Sequence, residues 1–237
     1  MITDESTATS EKQSLTERTW QGHILWLMAG TVLGFVIAAV YARLFHLSRP
    51  IYLIPYVFLV IAFLYGYMRW TRLVLGQCLR HRWGWSVVAG IMAGLFAVQS
   101  VMRQPQSPTP QGATLVIDLF WMGVVYGTVD GLLLSVLPVF AVWEALTKQG
   151  WTGRWAGRIG SGLLALLASM VVIAGYHLGY PEFRGPQVLF PVFGVGVMSL
   201  AYIITGSPIS ALISHIAMHI AAVLYGLQTA IQLPPHY

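Results

Sequence analysis

Seven apolar stretches, each long enough to cross a lipid bilayer as a helix, dominate this chain of 237 residues. A bilayer core takes about 20 consecutive apolar residues of α-helix. The sequence therefore predicts an all-α protein, a polytopic membrane helical bundle of about seven transmembrane helices. The expected spans are 22–45, 51–69, 84–102, 115–143, 159–180, 187–206 and 208–231.

Charged side chains are too scarce for a soluble protein. Only 9% of the residues are charged and 57% are hydrophobic, whereas a soluble domain carries about 25% charged residues. Most of the surface must therefore face lipid, and the lipid bilayer is the expected partner. The net charge is +5, but no basic stripe alternates with aromatic residues on a polar face, so we expect no nucleic-acid partner.

The distribution of lysine and arginine predicts the orientation. With the N-terminus inside, nine of these residues fall in inner segments and four in outer segments, as the positive-inside rule requires. We expect an integral protein of a bacterial inner (plasma) membrane with a cytoplasmic N-terminus. Residues 1–20 carry too little apolar surface to fold alone and predict a flexible cytoplasmic tail. Residues 21–237 then form one transmembrane domain.

Small residues and aromatic residues indicate how the spans pack and where they end. Glycine pairs spaced by four residues let helix backbones approach closely. Tryptophan and tyrosine near span ends are typical of an interfacial aromatic belt. The glycine pairs are Gly30/Gly34, Gly90/Gly94 and Gly123/Gly127, and the belt residues are Trp20, Trp70, Trp83, Trp85, Trp151, Trp155 and Tyr180.

Few ionisable residues lie at membrane depth, where each is a functional candidate because its burial is costly. Asp130 lies deep in the fourth span, His177 in the outer half of the fifth, and His215 and His219 midway along the seventh. The last two are four residues apart, which places both imidazoles on one helical face. Two neutral imidazoles so placed can chelate one metal ion.

Other interpretations of these histidines remain open. Each could donate a hydrogen bond to a neighbouring helix, or His177 and one of the pair could ligate haem from facing helices. The segment 215–219 (HIAMH) has the histidine spacing of HExxH without its glutamate, so the helix offers ligands but no general base. The one cysteine, Cys78, cannot form an internal disulfide or a thiolate metal cluster.

The second half of the chain resembles the CPBP family of intramembrane metalloproteases, also called the CAAX-protease and bacteriocin-processing or Abi family. That family carries EExxxR, FxxxH and HxxxN or HxxxD on separate helices. In this chain, 130–135 (DGLLLS), 173–177 (IAGYH) and 215–219 (HIAMH) fall in the corresponding order. The resemblance covers about residues 114–230 and includes 206–210 (GSPIS), which is similar to the family's stretch before the last motif.

The resemblance implies an intramembrane peptidase that acts on a membrane protein or a peptide, with zinc or another divalent metal as cofactor. Asp130 is then the catalytic acid that orients or deprotonates water, and His177, His215 and His219 are the metal ligands. The first motif is degenerate, however: the paired carboxylate and its arginine are absent under either alignment of Asp130. The metal-binding half is therefore better preserved than the catalytic half, and we expect a divergent member with weak or no peptidase activity.

Two considerations compete with this interpretation. At about 1.5 Å per residue, His177 and His219 differ in depth by roughly 12 Å, which counts against one shared site. A different class of function is a structural or assembly subunit of a larger membrane complex, with the histidines in helix packing or in haem or pigment ligation. A small transporter is a third class, which the lack of inverted repeats disfavours.

Overall fold

The computed structural model describes residues 5–73 and 82–234, with side chains from Trp20 onward. Within these residues all regular structure is helical, and seven helices are long and apolar enough to cross a membrane. The predicted all-α bundle is thus confirmed. The helices are α1 (Glu5–Ile37), α2 (Arg49–Thr71), α3 (Trp83–Met102), α4 (Gly112–Lys148), α5 (Trp155–Leu178), α6 (Leu189–Thr205) and α7 (Ile209–Gly226).

Several helix ends differ from the sequence prediction by a few residues, and the differences in α1 and α7 bear on the architecture. α1 begins at Glu5 and continues as a π-helical segment, Ala38–Leu44, so it extends into the segment predicted to be a tail. The flexibility of that tail stays a prediction. α7 ends at Gly226, five residues before the predicted end, because the chain then turns back to pair with the loop after α3. In that pairing the backbone N–H of Gln228 donates to Ser107 Oγ over 3.0 Å.

Large apolar side chains cover the outside of the bundle. Phe58, Ile204 and Leu25 are 71%, 67% and 64% exposed, although burying such a side chain would be worth about 1.5–3 kcal/mol in water. This outer surface is the lipid-facing surface of a membrane protein. The six tryptophans of the predicted belt are also exposed, but Tyr180 is buried and points into the bundle.

The connection between α6 and α7 is the tight hairpin that the sequence predicts. Gly206 ends α6 in the left-handed conformation, with φ of 70°, and its N–H bonds to the carbonyl of Tyr202 over 2.7 Å. This is the usual glycine cap of a helix C-terminus. Pro208 then precedes the first residue of α7. The hairpin places α7 beside α6, with α3 and α4 on its other sides.

Candidate metal centre

α4 carries the central acid and is deformed on both sides of it. Two π-helical segments, Leu119–Val125 and Leu132–Val136, enclose the short α-helical stretch Tyr126–Gly131. π-Helical turns inside α-helices are rare and frequently occur at functional sites. Because a π-helix bonds residue i to i+5, its wider turn brings Ser135 to the same side of α4 as Asp130.

A glycine face on α4 allows α7 to approach. A Cβ atom built on Gly127 would lie 2.9 Å from the Cα of Ile216, and one on Gly131 would lie 3.2 Å from the Cβ of His215. On the opposite side of α7, a Cβ on Gly90 of α3 would lie 2.9 Å from the Cα of Ser210. The packing role predicted for Gly90 and Gly127 is confirmed. Only a residue without a side chain fits so close to another helix backbone.

This close approach brings one carboxylate and two imidazoles together. Asp130 Oδ2 lies 3.2 Å from Nε2 of His219 and 3.5 Å from Nδ1 of His215. One ligand atom from each of the three residues lies within 4.8 Å of the others, and all three side chains are buried. Three of the four residues singled out by sequence therefore converge.

Neighbouring hydroxyls hold Asp130 and His215 in position. Tyr56 of α2 donates its hydroxyl proton to Asp130 Oδ1 over 3.0 Å, which leaves Oδ2 to face the imidazoles. Ser135 Oγ lies 3.0 Å from Nε2 of His215 and accepts a hydrogen bond from Ser199 of α6, also over 3.0 Å. Side chains from four helices, α2, α4, α6 and α7, therefore contribute to the centre.

Two ring nitrogens of the centre are left without a hydrogen-bond partner. Nδ1 of His215 and Nδ1 of His219 are both fully buried, and neither bonds to any residue that the structure describes. A buried polar atom without a partner costs about 1–3 kcal/mol. Of the two atoms, Nδ1 of His215 is the one that faces Asp130 Oδ2, at 3.5 Å, whereas His219 faces Asp130 with its Nε2.

His177 lies outside this group. It occupies the last turn of α5, where its Nδ1 is 3.1 Å from the carbonyl of Ile173 and its ring packs on Phe183 with centroids 4.6 Å apart. It is about 33 Å along α5 from Trp155, whereas His219 is only about 15 Å along α7 from Ile209. The depth difference anticipated from sequence explains why the structure does not bring His177 among the three converging ligands.

A cavity of about 700 Å³ connects His177 to the centre. The buried residues Asp130, Tyr126 and His177 line it, together with residues of α3, α6 and the segment after α7. Asp130 is therefore accessible from the cavity, while the two imidazoles of α7 lie behind it. Ligand pockets in proteins commonly have volumes of about 300–1,000 Å³.

A cluster of buried tyrosines next to the centre was missed by sequence reasoning. The hydroxyl of Tyr176 is 3.0 Å from that of Tyr126, 3.2 Å from that of Tyr52 and 2.8 Å from that of Tyr180. Burial raises the pKa of the Tyr180 phenol well above its ordinary value, so this hydroxyl remains protonated. The i, i+4 spacing of Tyr52 with Tyr56, and of Tyr176 with Tyr180, is the signal that could have indicated one inward face.

No protein-family model matches this chain, and neither does a curated protein or a solved structure. Functional inference therefore depends on the geometry of the centre and on the three short motifs.

Proposed function

We propose that this protein is a divergent CPBP-like membrane protein that binds one divalent metal ion, zinc, between Asp130, His215 and His219. The observation that carries the proposal is the convergence of these three side chains on one buried point. Retention of the histidines of the second and third family motifs adds to it.

The ligand set fits zinc in composition and in spacing. Zinc binds imidazole nitrogen and carboxylate oxygen at about 2.0–2.2 Å in tetrahedral geometry, so neighbouring ligand atoms lie about 3.3–3.6 Å apart. The separations of Asp130 Oδ2 from the two imidazoles, 3.2 and 3.5 Å, are close to this range. Deprotonated Asp130 and neutral imidazoles would hold the ion, and the ion would supply Lewis-acid chemistry.

The outer contact of His215 also fits a metal site. Metal-bound histidines usually donate their other ring N–H to a neighbouring acceptor, which fixes the ring orientation. Ser135 Oγ has two lone pairs and can accept from both Ser199 and His215 Nε2. Nδ1 of His215 is then free to bind the ion.

The proposed peptidase activity is weak or absent, because the space for the missing catalytic groups is filled. A side chain at Gly131 would meet His215 Cβ at 3.2 Å, so a glutamate there would displace the imidazole. Ser135 is enclosed between His215 and Ser199, which leaves no room for an arginine. Asp130 is itself one of the three converging groups, so it is not a separate base beside a metal.

The second candidate is a structural subunit of a larger membrane complex. The hydrogen bonds of Asp130 to Tyr56 and His219 favour it, since they join three helices without any ion. Haem ligation by the pair is disfavoured, because His215 and His219 are fully buried against the glycine face of α4. A macrocycle has no space there.

Metal analysis of detergent-purified protein tests the proposal. We expect about one zinc per chain in the wild type, none in the double variant His215→Ala/His219→Ala, and an unchanged content in His177→Ala. The last variant is the matched control, since it also removes a buried histidine. A well-folded wild type without metal would favour the structural subunit, and a Soret absorption band would favour haem.

A further inference from the structure

The lining of the cavity beside Asp130 includes both buried and exposed polar groups. Tyr126, Asp130 and His177 are almost completely buried. Arg103, just after α3, lies at an exposed end of the cavity. A carboxylate therefore lines the buried part and a guanidinium the exposed end. An elongated ligand with an anionic group would place that group at Arg103.

Arg103 is available for such a ligand. The other polar groups of this end bond to one another: Gln104 Nε2 donates to Gln232 Oε1 over 2.8 Å, and the N–H of Ile231 donates to Gln104 Oε1 over 2.9 Å. Thr229 donates its hydroxyl proton to the carbonyl of Pro105. Among the residues that the structure describes, none forms a hydrogen bond or ion pair with the exposed guanidinium of Arg103.

The wall between the cavity and the surrounding lipid is thin. Phe96 of α3 and Phe193 of α6 both line the cavity, and their rings meet edge to face with centroids 6.1 Å apart. They are also 42% and 63% exposed on the outer surface of the bundle. Rotation of these two side chains would join the cavity to the bilayer between α3 and α6.

We propose that the cavity binds one anionic phospholipid from the leaflet on the side of Arg103, with its phosphate at Arg103 and an acyl chain between the two phenylalanines. The cation lies at the end of a transmembrane helix, where lipid phosphates are found, and the walls in between are mainly apolar. This inference rests on the proposed function in one respect, because the phospholipid is the class of molecule that would reach the proposed metal centre.

A phospholipid fits this lining better than a peptide does. A peptide backbone in a bilayer needs a partner for each N–H and C=O group. The polar groups at the Arg103 end are mostly engaged with one another, and the cavity wall also includes apolar residues such as Phe190, Met198 and Met218. An acyl chain requires no hydrogen-bond partner there.

Two glycines on α6 provide a matched pair of variants. A Cβ at either Gly194 or Gly196 would meet no atom within 4 Å, so both positions accept a side chain. Only Gly194 lines the cavity. Gly194→Phe should fill the cavity, while Gly196→Phe introduces the same side chain two residues away without filling it.

The test measures lipid retained by the purified full chain, using native mass spectrometry during titration with dioleoyl phosphatidylglycerol or dioleoyl phosphatidylcholine. We expect one retained phosphatidylglycerol per chain, bound about fivefold more tightly than phosphatidylcholine, the factor for one basic residue near a membrane surface. Arg103→Gln should remove this preference. Gly194→Phe should abolish retention of both lipids, and Gly196→Phe should behave as the wild type.

The same titration separates this inference from the metal proposal. The variant His215→Ala/His219→Ala should retain phosphatidylglycerol as the wild type does, because neither histidine lines the cavity. Equal lipid retention by the wild type and Gly194→Phe would overturn the lipid site, whatever the metal content. The lipid site would also be overturned if an apolar peptide with a free C-terminal carboxylate bound more tightly than phosphatidylglycerol and Gly194→Phe abolished the binding of that peptide.

Discussion

The hydroxyl of Ser135 lies 3.0 Å from Nε2 of His215, on the far side of the imidazole from Asp130. If Asp130 is aligned with the first acid of the proposed CPBP-type motif, Ser135 takes the position of the arginine. It lies in the second π-helical segment of α4, so the local widening of that helix places it against the ring. The hydroxyl of Ser135 therefore orients the ring of His215, and an arginine of the family motif would have no space there.

Replacing Ser135 by alanine should weaken zinc binding without removing it. The hydroxyl fixes the orientation of His215, and loss of such an outer partner typically costs 10–100-fold in metal affinity. Competition titration against a chromogenic chelator measures the change. Ser169→Ala is the control, because Ser169 is also fully buried but bonds to the carbonyl of Ala165 in its own helix. Equal affinities for the two variants would show that Ser135 does not support the centre.

Replacing Gly127 by alanine should separate α4 from α7. The added methyl would lie 2.9 Å from Ile216 Cα and 3.2 Å from the carbonyl oxygen of His215. We expect the free energy of unfolding in detergent to fall by about 1–3 kcal/mol, the usual cost of overpacking, and zinc affinity to fall with it. Denaturation by SDS measures the first quantity.

Gly160→Ala is the matched control for that experiment. Gly160 lies in α5, and a Cβ there would meet no atom within 4 Å. Alanine should raise the free energy of unfolding by up to about 1 kcal/mol, because it favours the helix more than glycine does. If both alanine variants were more stable than the wild type, α4 and α7 would not be in close contact at Gly127.

Much of the centre could be predicted from the sequence because its signals are local. The i, i+4 spacing of His215 and His219 fixes their shared face, and an acid in an apolar span identifies Asp130. His177 could not be assigned to the same site, because its depth depends on where α5 begins and how it tilts. The π-helical segments of α4 leave no pattern in the sequence, so the placement of Ser135 became visible only in three dimensions.

The buried tyrosines show a second limit of sequence reasoning. An aromatic residue near the end of a span is equally compatible with the lipid interface and with the bundle interior. Trp155 is 76% exposed, as the belt predicts, whereas Tyr180, two residues after α5, is 1% exposed. The difference arises because the hydroxyl of Tyr180 forms hydrogen bonds with the hydroxyls of Tyr52, on α2, and of Tyr176, on α5. Such non-local partners cannot be deduced from one sequence.

Replacing Tyr56 by phenylalanine should destabilise the bundle. It removes the hydroxyl that donates to Asp130 Oδ1 and leaves a buried carboxylate oxygen without its partner. We expect the free energy of unfolding to fall by about 1–3 kcal/mol, measured by SDS denaturation of metal-free protein. Tyr65→Phe is the control, because Tyr65 is 62% exposed on the lipid face of the same helix. An equal, small effect of both changes would mean that Tyr56 does not support Asp130.

The proposed orientation predicts the accessibility of Cys78. This cysteine lies outside the described residues, in the arginine-rich connection between α2 and α3 that we place in the cytoplasm. In intact cells it should resist an impermeant thiol reagent and should react after the membrane is permeabilised. In a Cys78→Ser background, Gln106→Cys in the loop after α3 should react from outside. The opposite labelling pattern would reverse the topology.

We expect the peptidase activity of this protein to be weak or absent. Cleavage of transmembrane peptides by the wild type should be at least ~10²-fold slower than by proteins with the complete EExxxR motif, since a positioned general base contributes ~10²–10⁴-fold. Asp130→Ala should lose both zinc and any residual cleavage. The double change Gly131→Glu with Ser135→Arg should not restore activity. The Cβ of the new glutamate would lie 3.2 Å from the Cβ of His215, and the arginine would replace the hydroxyl that orients the His215 ring.

Zinc content and cleavage rate of the three proteins, measured on the same preparations, distinguish the outcomes. We expect zinc in the wild type, none in Asp130→Ala, and reduced zinc in the double variant, with little or no cleavage by any of them. Rapid cleavage by the wild type that Asp130→Ala abolishes would show that one aspartate suffices as the catalytic acid. A gain of cleavage in the double variant would show instead that the helices can move apart to admit the missing pair. In that case the close contact of Gly131 with His215 would not be what limits the chemistry of this site.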